Sequence, residues 1–264
     1  MKKKTKTPAA KSAPVTEEHV LVLRTCDGDM RSYNRFLWPE NGPVAAPHWD
    51  PAPECGNGLH GLLWGEGDGS LLNWKQDAKW MVVRVRAADV VQIINPPGKV
   101  KFPRGEVVFC GAQQGATEYL LTAPEGRGRA ISGAAVIASR HGEAATAGYK
   151  GTATAGESGT ATAGESGTAT AGNWGTATAG ESGTATAGNW GTATAGESGT
   201  ATAGKQGVLV LRRWDGARYR LVVGYVGEEG IEAGKYYRLD DAGKIVPAPD
   251  KDAEMAAKSQ EAKK

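Results

Sequence analysis

The sequence predicts a mostly β protein. Its centre is a two-sided β-solenoid, preceded by an α+β domain and followed by a small β-hairpin cap. Three observations carry this. Seven perfect GTATAG units start at Gly151, Gly159, Gly167, Gly175, Gly183, Gly191 and Gly199. Thr and Ala alternate within each unit, the period-two pattern of a strand with two distinct faces. The residue pairs between units recur at sixteen positions rather than eight, so two octads of the form GTATAGxx build one coil.

In chain order, residues 1–17 are rich in Lys, Pro and Ala and read as a disordered basic tail, without the apolar stretch of a secretory signal. Residues 18–130 are non-repetitive and read as an α+β or mostly β domain with long loops. Strands are expected at HVLVLRT (19–25), within KWMVVRVRAADVVQII (79–94) and at GEVVFCG (105–111). ATEYLLTA (116–123) fits a short helix or a strand. PENGPVAAPHWDPAPECGNG (39–58) is too rich in Pro and Gly for anything but loop, and GEGDGS (65–70) reads as a flexible loop without the ending of a phosphate-binding one. Trp38, Trp49, Trp64, Trp74 and Trp80 are assigned to the core of this domain.

Residues 131–206 form the solenoid segment, and its octads start at 143 with the degenerate unit EAATAGYK (143–150). TATA supplies a four-residue strand, since Thr favours strands. Gly-x-x-Gly supplies a turn, on the expectation that Gly reaches positive φ without strain. A Thr-in coil would bury two hydroxyls per strand, each costing about 1–3 kcal/mol if unpaired. Ala is therefore expected inside and Thr outside. Four coils at ~4.8 Å spacing give a broad face of roughly 250 Å². Sorting the variable pairs by sixteen separates two edges. One carries Glu157, Asn173-Trp174, Asn189-Trp190 and Lys205; the other carries Tyr149, Glu165, Glu181 and Glu197. The stacked Trp174 and Trp190 form an exposed aromatic ridge, the expected homodimer contact.

An Ala core is weak, because little apolar area is buried against an ordering entropy of ~1–2 kcal/mol per residue. Both ends of the array therefore need caps. AAVIAS (134–139) and VLVL (208–211) supply larger apolar groups there. Residues 207–249 read as two hairpins, around Asp215-Gly216 and Asp241-Ala242-Gly243, and 250–264 as a charged tail.

The whole chain narrows the function classes. Its 264 residues carry 31 basic and 29 acidic side chains, giving no basic excess for a nucleic acid. No run of 18 apolar residues exists, so no membrane-spanning helix is expected. Cys26, Cys55 and Cys110 lie far apart, which fits a reducing compartment and a cytoplasmic location. No metal or cofactor motif is present, and no cofactor is expected.

Gly-Thr-Ala-Thr-Ala-Gly resembles half of the sixteen-residue repeat of bacterial ice-nucleation proteins, which reads roughly A-G-Y-G-S-T-x-T-A-G. That resemblance covers residues 143–206 and implies a β-solenoid whose Thr-x-Thr rows order water into an ice-like lattice. The rows it implies here are Thr152/Thr154, Thr160/Thr162, Thr168/Thr170, Thr176/Thr178, Thr184/Thr186, Thr192/Thr194 and Thr200/Thr202. The chain departs from the family: the array is far shorter, the recurring edge Tyr survives only as Tyr149, and Gly replaces Ser before each first Thr. Residues 54–64, ECGNGLHGLLW, resemble an uncharacterised bacterial and phage domain marked by C-x-N-G-x-H, here Cys55, Asn57, Gly58 and His60. That resemblance implies architecture and no chemistry.

The function expected from these features is non-enzymatic: a regular surface that binds ordered water or ice and self-associates through one solenoid edge. A plain scaffold or spacer for the N-terminal domain is the alternative. A catalytic N-terminal domain is the alternative of a different class. It would use Cys55 with His60 as a nucleophile pair, or His60 with Glu118-Tyr119 in a nucleotide-transferase cleft. Against it stands a structural assignment, with Cys55 buried and His60 bonded to backbone.

Overall fold

The computed structural model describes residues 18–96 and 98–249. The tails expected over 1–17 and 250–264 lie outside the described residues. Strands β1 (His19–Cys26), β2 (Gly42–Ala45), β3 (Leu59–Leu63), β4 (Lys79–Arg86), β5 (Val91–Gln92), β6 (Lys99–Phe102) and β7 (Arg104–Gly111) form one antiparallel sheet. Its order is β2-β7-β4-β1-β3-β6-β5. Apolar side chains leave both faces of the central strands. Val22, Met81, Val83 and Phe102 pack on one side; Leu23, Leu62, Val82 and Leu120 pack on the other. Leu120 belongs to helix α1 (Gln113–Thr122), which settles the open reading of 116–123.

Two expectations for this domain change. The Pro-rich 39–58 segment contains β2, an edge strand, where Pro43 is tolerated because the outer side needs no ladder donor. GEGDGS is a tight connection: Glu66 pairs with Arg129 at 2.5 Å, and Asp68 caps a short 3-10 turn through the Ser70 amide.

The repeat array follows the sixteen-residue reading. Strands β8 (Ala135–Ala138), β9 (Ala144–Ala147), β10 (Thr152–Ala155), β11 (Thr160–Ala163), β12 (Thr168–Ala171), β13 (Thr176–Ala179), β14 (Thr184–Ala187), β15 (Thr192–Ala195), β16 (Thr200–Ala203) and β17 (Val208–Trp214) alternate between two sheets. Within each sheet the pairing is parallel and in register at sixteen, as in Thr152↔Thr168 and Ala153↔Ala169. Ala points in: Ala153, Ala161, Ala169, Ala177, Ala185 and Ala193 are all at 0% exposure. Thr points out. The hydroxyls are thereby left to solvent and the two sheets close on a core of methyl groups.

The turns work differently from the sequence expectation. Positive φ falls on the second variable residue, at 51–58° for Lys150, Ser158, Ser166, Trp174, Ser182, Trp190, Ser198 and Gln206. The flanking glycines do not adopt it. They are needed because a side chain has nowhere to go. A Cβ on Gly167 would lie 2.9 Å from each of Ala163 Cβ, Gly151 O and Gly164 O. That proximity lets the turns stack as tightly as the strands. Ser166 N donates to Glu181 O at 2.7 Å and Trp174 N to Asn189 O at 2.8 Å, so the ladder continues around both corners.

Both ends are covered. At the first coil, Tyr149 lies against Trp74, with ring centroids 5.5 Å apart, and over Gly69 of the GEGDGS connection. Ser132 N bonds Gly65 O and Gly148 N bonds Ile131 O, which splices the array onto the N-terminal sheet. Ile137 does not plug this end as expected: it points outward and is 75% exposed. At the last coil Leu209 and Leu211 replace the inner Ala pair, with Ile231 and Tyr237 beside them. Strands β18 (Tyr219–Tyr225), β19 (Tyr237–Leu239) and β20 (Ile245–Pro247) complete the cap. β17–β18 and β19–β20 are the two expected hairpins.

Paired substitutions separate the two roles within a turn. Ser166→Gly relieves a left-handed non-Gly residue and is expected to raise stability by up to about 1 kcal/mol. Gly167→Ala overpacks the neighbouring coil and is expected to lower it by about 1–3 kcal/mol. Denaturant unfolding measures both, and a neutral Gly167→Ala contradicts the steric account.

Candidate functional site

The outer face of each sheet is a grid of hydroxyls. On one, Thr152, Thr168, Thr184 and Thr200 align in one row and Thr154, Thr170, Thr186 and Thr202 in the next. On the other, Thr160, Thr176 and Thr192 align, as do Thr162, Thr178 and Thr194. Strand geometry sets the grid at ~6.6 Å along a strand and ~4.8 Å between strands. The first Thr of the early strands is the more exposed: Thr152, Thr160, Thr168 and Thr176 are open to solvent, while their partners two residues on are half-buried.

The grid does not run the full height. Thr202 is 4% exposed and its hydroxyl has no partner, on the strand that pairs with β19 at Ala201↔Tyr237. It therefore offers no hydroxyl to solvent. The expectation of seven open rows fails at this rung, because the cap folds onto it. Thr200 Oγ1 lies 3.2 Å from Thr184 Oγ1. On the opposite face Val208 and Val210 continue the rows after Thr192 and Thr194. β18 then adds Tyr225 and Val223, which are 52% and 47% exposed.

The edges are chemically distinct, as their sequence implies. Trp174 and Trp190 stack with centroids 4.7 Å apart and planes within 6°, at 57% and 45% exposure. The ring separation matches the coil spacing, so the stack follows from register. The Trp190 indole N–H donates to Gln206 on the next coil. Beneath the rings runs an asparagine ladder that sequence reading missed. Asn173 Oδ1 accepts from Asn189 N at 2.9 Å, and Asn189 Oδ1 accepts from Lys205 N at 2.8 Å. The signal was an Asn repeated at sixteen.

The N-terminal sheet carries a separate cleft of about 570 Å³, lined by Arg24, Phe36, Cys55, Asn57, His60 and Lys99 among others. Cys55 is exposed rather than buried, because it sits in the Gly-rich approach to β3, and its Sγ accepts from Lys99 Nζ at 3.1 Å. His60 bonds the Gly58 carbonyl. Burial, followed by the charges of Lys99, Arg24 and Lys101, pulls its pKa down to about 4. Glu118 lines a different cavity, on α1, and accepts from Gln114 at 2.8 Å. His60 and Glu118-Tyr119 therefore share no cleft. Among the described residues no cluster of three or more potential metal ligands occurs, and no helix is long and apolar enough to cross a membrane.

Against known proteins, the repeat region is similar to bacterial ice nucleation proteins. One from Pseudomonas syringae is 40% identical over 106 residues, which is 40% of this chain and 9% of that protein. One from Xanthomonas campestris pv. translucens is 38% identical over 124 residues, 47% of this chain and 8% of that protein. Ice nucleation protein InaU of Pantoea ananas is 39% identical over 105 residues, 40% of this chain and 10% of that protein. This chain thus spans about a tenth or less of the relatives it matches. No protein-family model matches the chain, and no solved structure matches it.

Two outcomes follow from this geometry. His60 is silent above its unfolded pKa, since both states are then neutral. As pH falls from about 6.5 to about 4 the unfolded chain takes up the proton first, so stability declines across that window, by at most ~1.4 kcal/mol per pH unit. His60→Gln is expected to flatten that part of the profile in pH-dependent unfolding followed by Trp fluorescence. Asn189→Ala strands the Lys205 amide and is expected to cost about 1 kcal/mol by denaturant unfolding; an unchanged midpoint contradicts the ladder.

Proposed function

We propose that this chain is a non-enzymatic surface-presenting protein whose threonine grids order water and bind ice. The single observation that carries the reading is the in-register alignment of Thr side chains on parallel strands. It fixes hydroxyls and methyls at repeated spacings on a rigid backbone. The kinship of the repeats to ice nucleation proteins supports it. Thr suits the task physically, since its methyl limits how water packs while its hydroxyl anchors it, and β-branching holds the rotamer.

The open grid is small, less than roughly 250 Å² per face by strand spacing, since one face has three Thr strands and the other loses Thr202. A template of that size adsorbs to ice that already exists more readily than it starts new ice. Self-association through the Trp174–Trp190 edge enlarges it by placing grids side by side. The exposed, pre-stacked rings favour that edge, since two aligned aromatic faces can be covered with little loss of side-chain freedom. The N-terminal domain then serves as a cap and as cargo, and the cytoplasm as the setting.

The test is thermal hysteresis with ice-crystal shaping, made on wild type, on Thr168→Lys/Thr184→Lys and on Thr160→Lys/Thr176→Lys. Faceted crystals are expected from wild type, with loss from one or both double variants identifying the active face. Round crystals from wild type end the ice reading and leave the scaffold. Light scattering on Trp174→Ser/Trp190→Ser tests the edge: a smaller mass than wild type is expected, and an equal mass contradicts it.

A further inference from the structure

The cleft of the N-terminal sheet is charged in a way that the solenoid's role does not use. Arg24, on β1, is half-buried with its guanidinium 4.6 Å above the Trp38 ring. One nitrogen, Nη1, donates to the His60 carbonyl at 2.6 Å, while Nε is buried and has no partner. Lys99, on β6, reaches the same cleft with the Cys55 thiol as its neighbour and no carboxylate in an ion pair. Among the described residues no Asp or Glu lines the cavity. Two fixed cations thus face one concave space with nothing anionic in it, an arrangement that normally carries a desolvation penalty unless a counter-charge arrives.

The third group supplies the specificity. His60 is neutral, and its bond to the Gly58 carbonyl uses one ring N–H. The other nitrogen, Nε2, is buried without a partner. In that tautomer Nε2 is an acceptor. The cleft therefore offers two cations for a dianion and one acceptor for a hydroxyl. Asn57 adds a further amide at the mouth and Phe36 an apolar wall. The volume of about 570 Å³ suits a small metabolite.

We propose that this cleft binds a small organic phosphate bearing a free hydroxyl, such as a phosphorylated sugar. Arg24 and Lys99 hold the phosphate, whose bidentate geometry suits the guanidinium, and His60 Nε2 accepts from the hydroxyl. Backbone approach is open at Gly56, where a Cβ would meet nothing within 4 Å, while Gly58 is covered by the Trp49 ring. The proposal is independent of the threonine grids and stands whether or not they bind ice.

The experiment titrates the full chain with ribose 5-phosphate, inorganic phosphate and ribose by calorimetry, and follows histidine imidazole resonances, assigned through His60→Gln. Ribose 5-phosphate is expected to bind and to move the His60 resonances. Inorganic phosphate is expected to bind at least tenfold more weakly, and ribose alone still more weakly. Lys99→Gln, at a half-exposed strand position where folding should survive, is expected to weaken ribose 5-phosphate at least tenfold. Arg24→Gln is expected to do the same where circular dichroism shows a folded protein. Absence of heat and of His60 shifts at 10 mM ribose 5-phosphate, on the order of the weakest affinities worth assigning, overturns the proposal. So does binding that Lys99→Gln leaves unchanged.

Discussion

The structure depends on one steric constraint: between successive coils there is no room for a Cβ at the corners. A Cβ on each turn glycine of the array would fall within about 3 Å of atoms of the coil below, mostly backbone, so any side chain there would push the stack apart. This closeness keeps the corner amides bonded from coil to coil and holds all strands at one spacing. The Thr grid, the Trp stack and the Asn ladder are consequences of that shared register. Each is one residue type repeated at one height on successive coils, Thr along the array and Asn-Trp on two coils.

The same constraint explains a cost the chain accepts. A turn with glycine at both ends leaves its left-handed residue to be Ser, Trp, Lys or Gln. Conformational strain of about 1 kcal/mol per corner is offset by the hydrogen bonds that stacking makes possible. An Ala core contributes little on its own, and the caps matter accordingly. Tyr149 against Trp74 at one end, and Leu209, Leu211 and Tyr237 at the other, provide the bulk that the coils lack. The cap on the last coil has a functional price in area, because it removes Thr202 from the grid.

Much of this was legible in the sequence, since a repeat states its own geometry. The sixteen-residue coil, the inward Ala, the two unlike edges and the terminal hairpins all follow from period and residue type. The turn mechanism did not: Gly at positive φ and Gly for lack of space look identical in a sequence, and only the φ of Ser158 or Trp174 tells them apart. The Asn ladder is hidden in the sequence because Asn at a turn also bonds its own backbone, and only coil stacking directs Asn173 Oδ1 to the Asn189 amide. In the N-terminal domain β3 and β6 were invisible. LHGLL and KVKF are short, and β3's Gly61 is placed by the close approach of Val22, a tertiary fact. The cleft was half-legible: Cys55 and His60 were marked, but Arg24 and Lys99 come from other strands and share the site only through sheet order.

The central claim is that the threonine grids meet ice directly. Growing a single ice crystal from a dilute solution of the fluorescently labelled chain tests it without reference to crystal shape or freezing point. The account predicts that wild type is incorporated on defined crystal planes, and that a chain with Lys on both grids is not. A wild-type chain swept into the remaining liquid, leaving the ice dark, would contradict it.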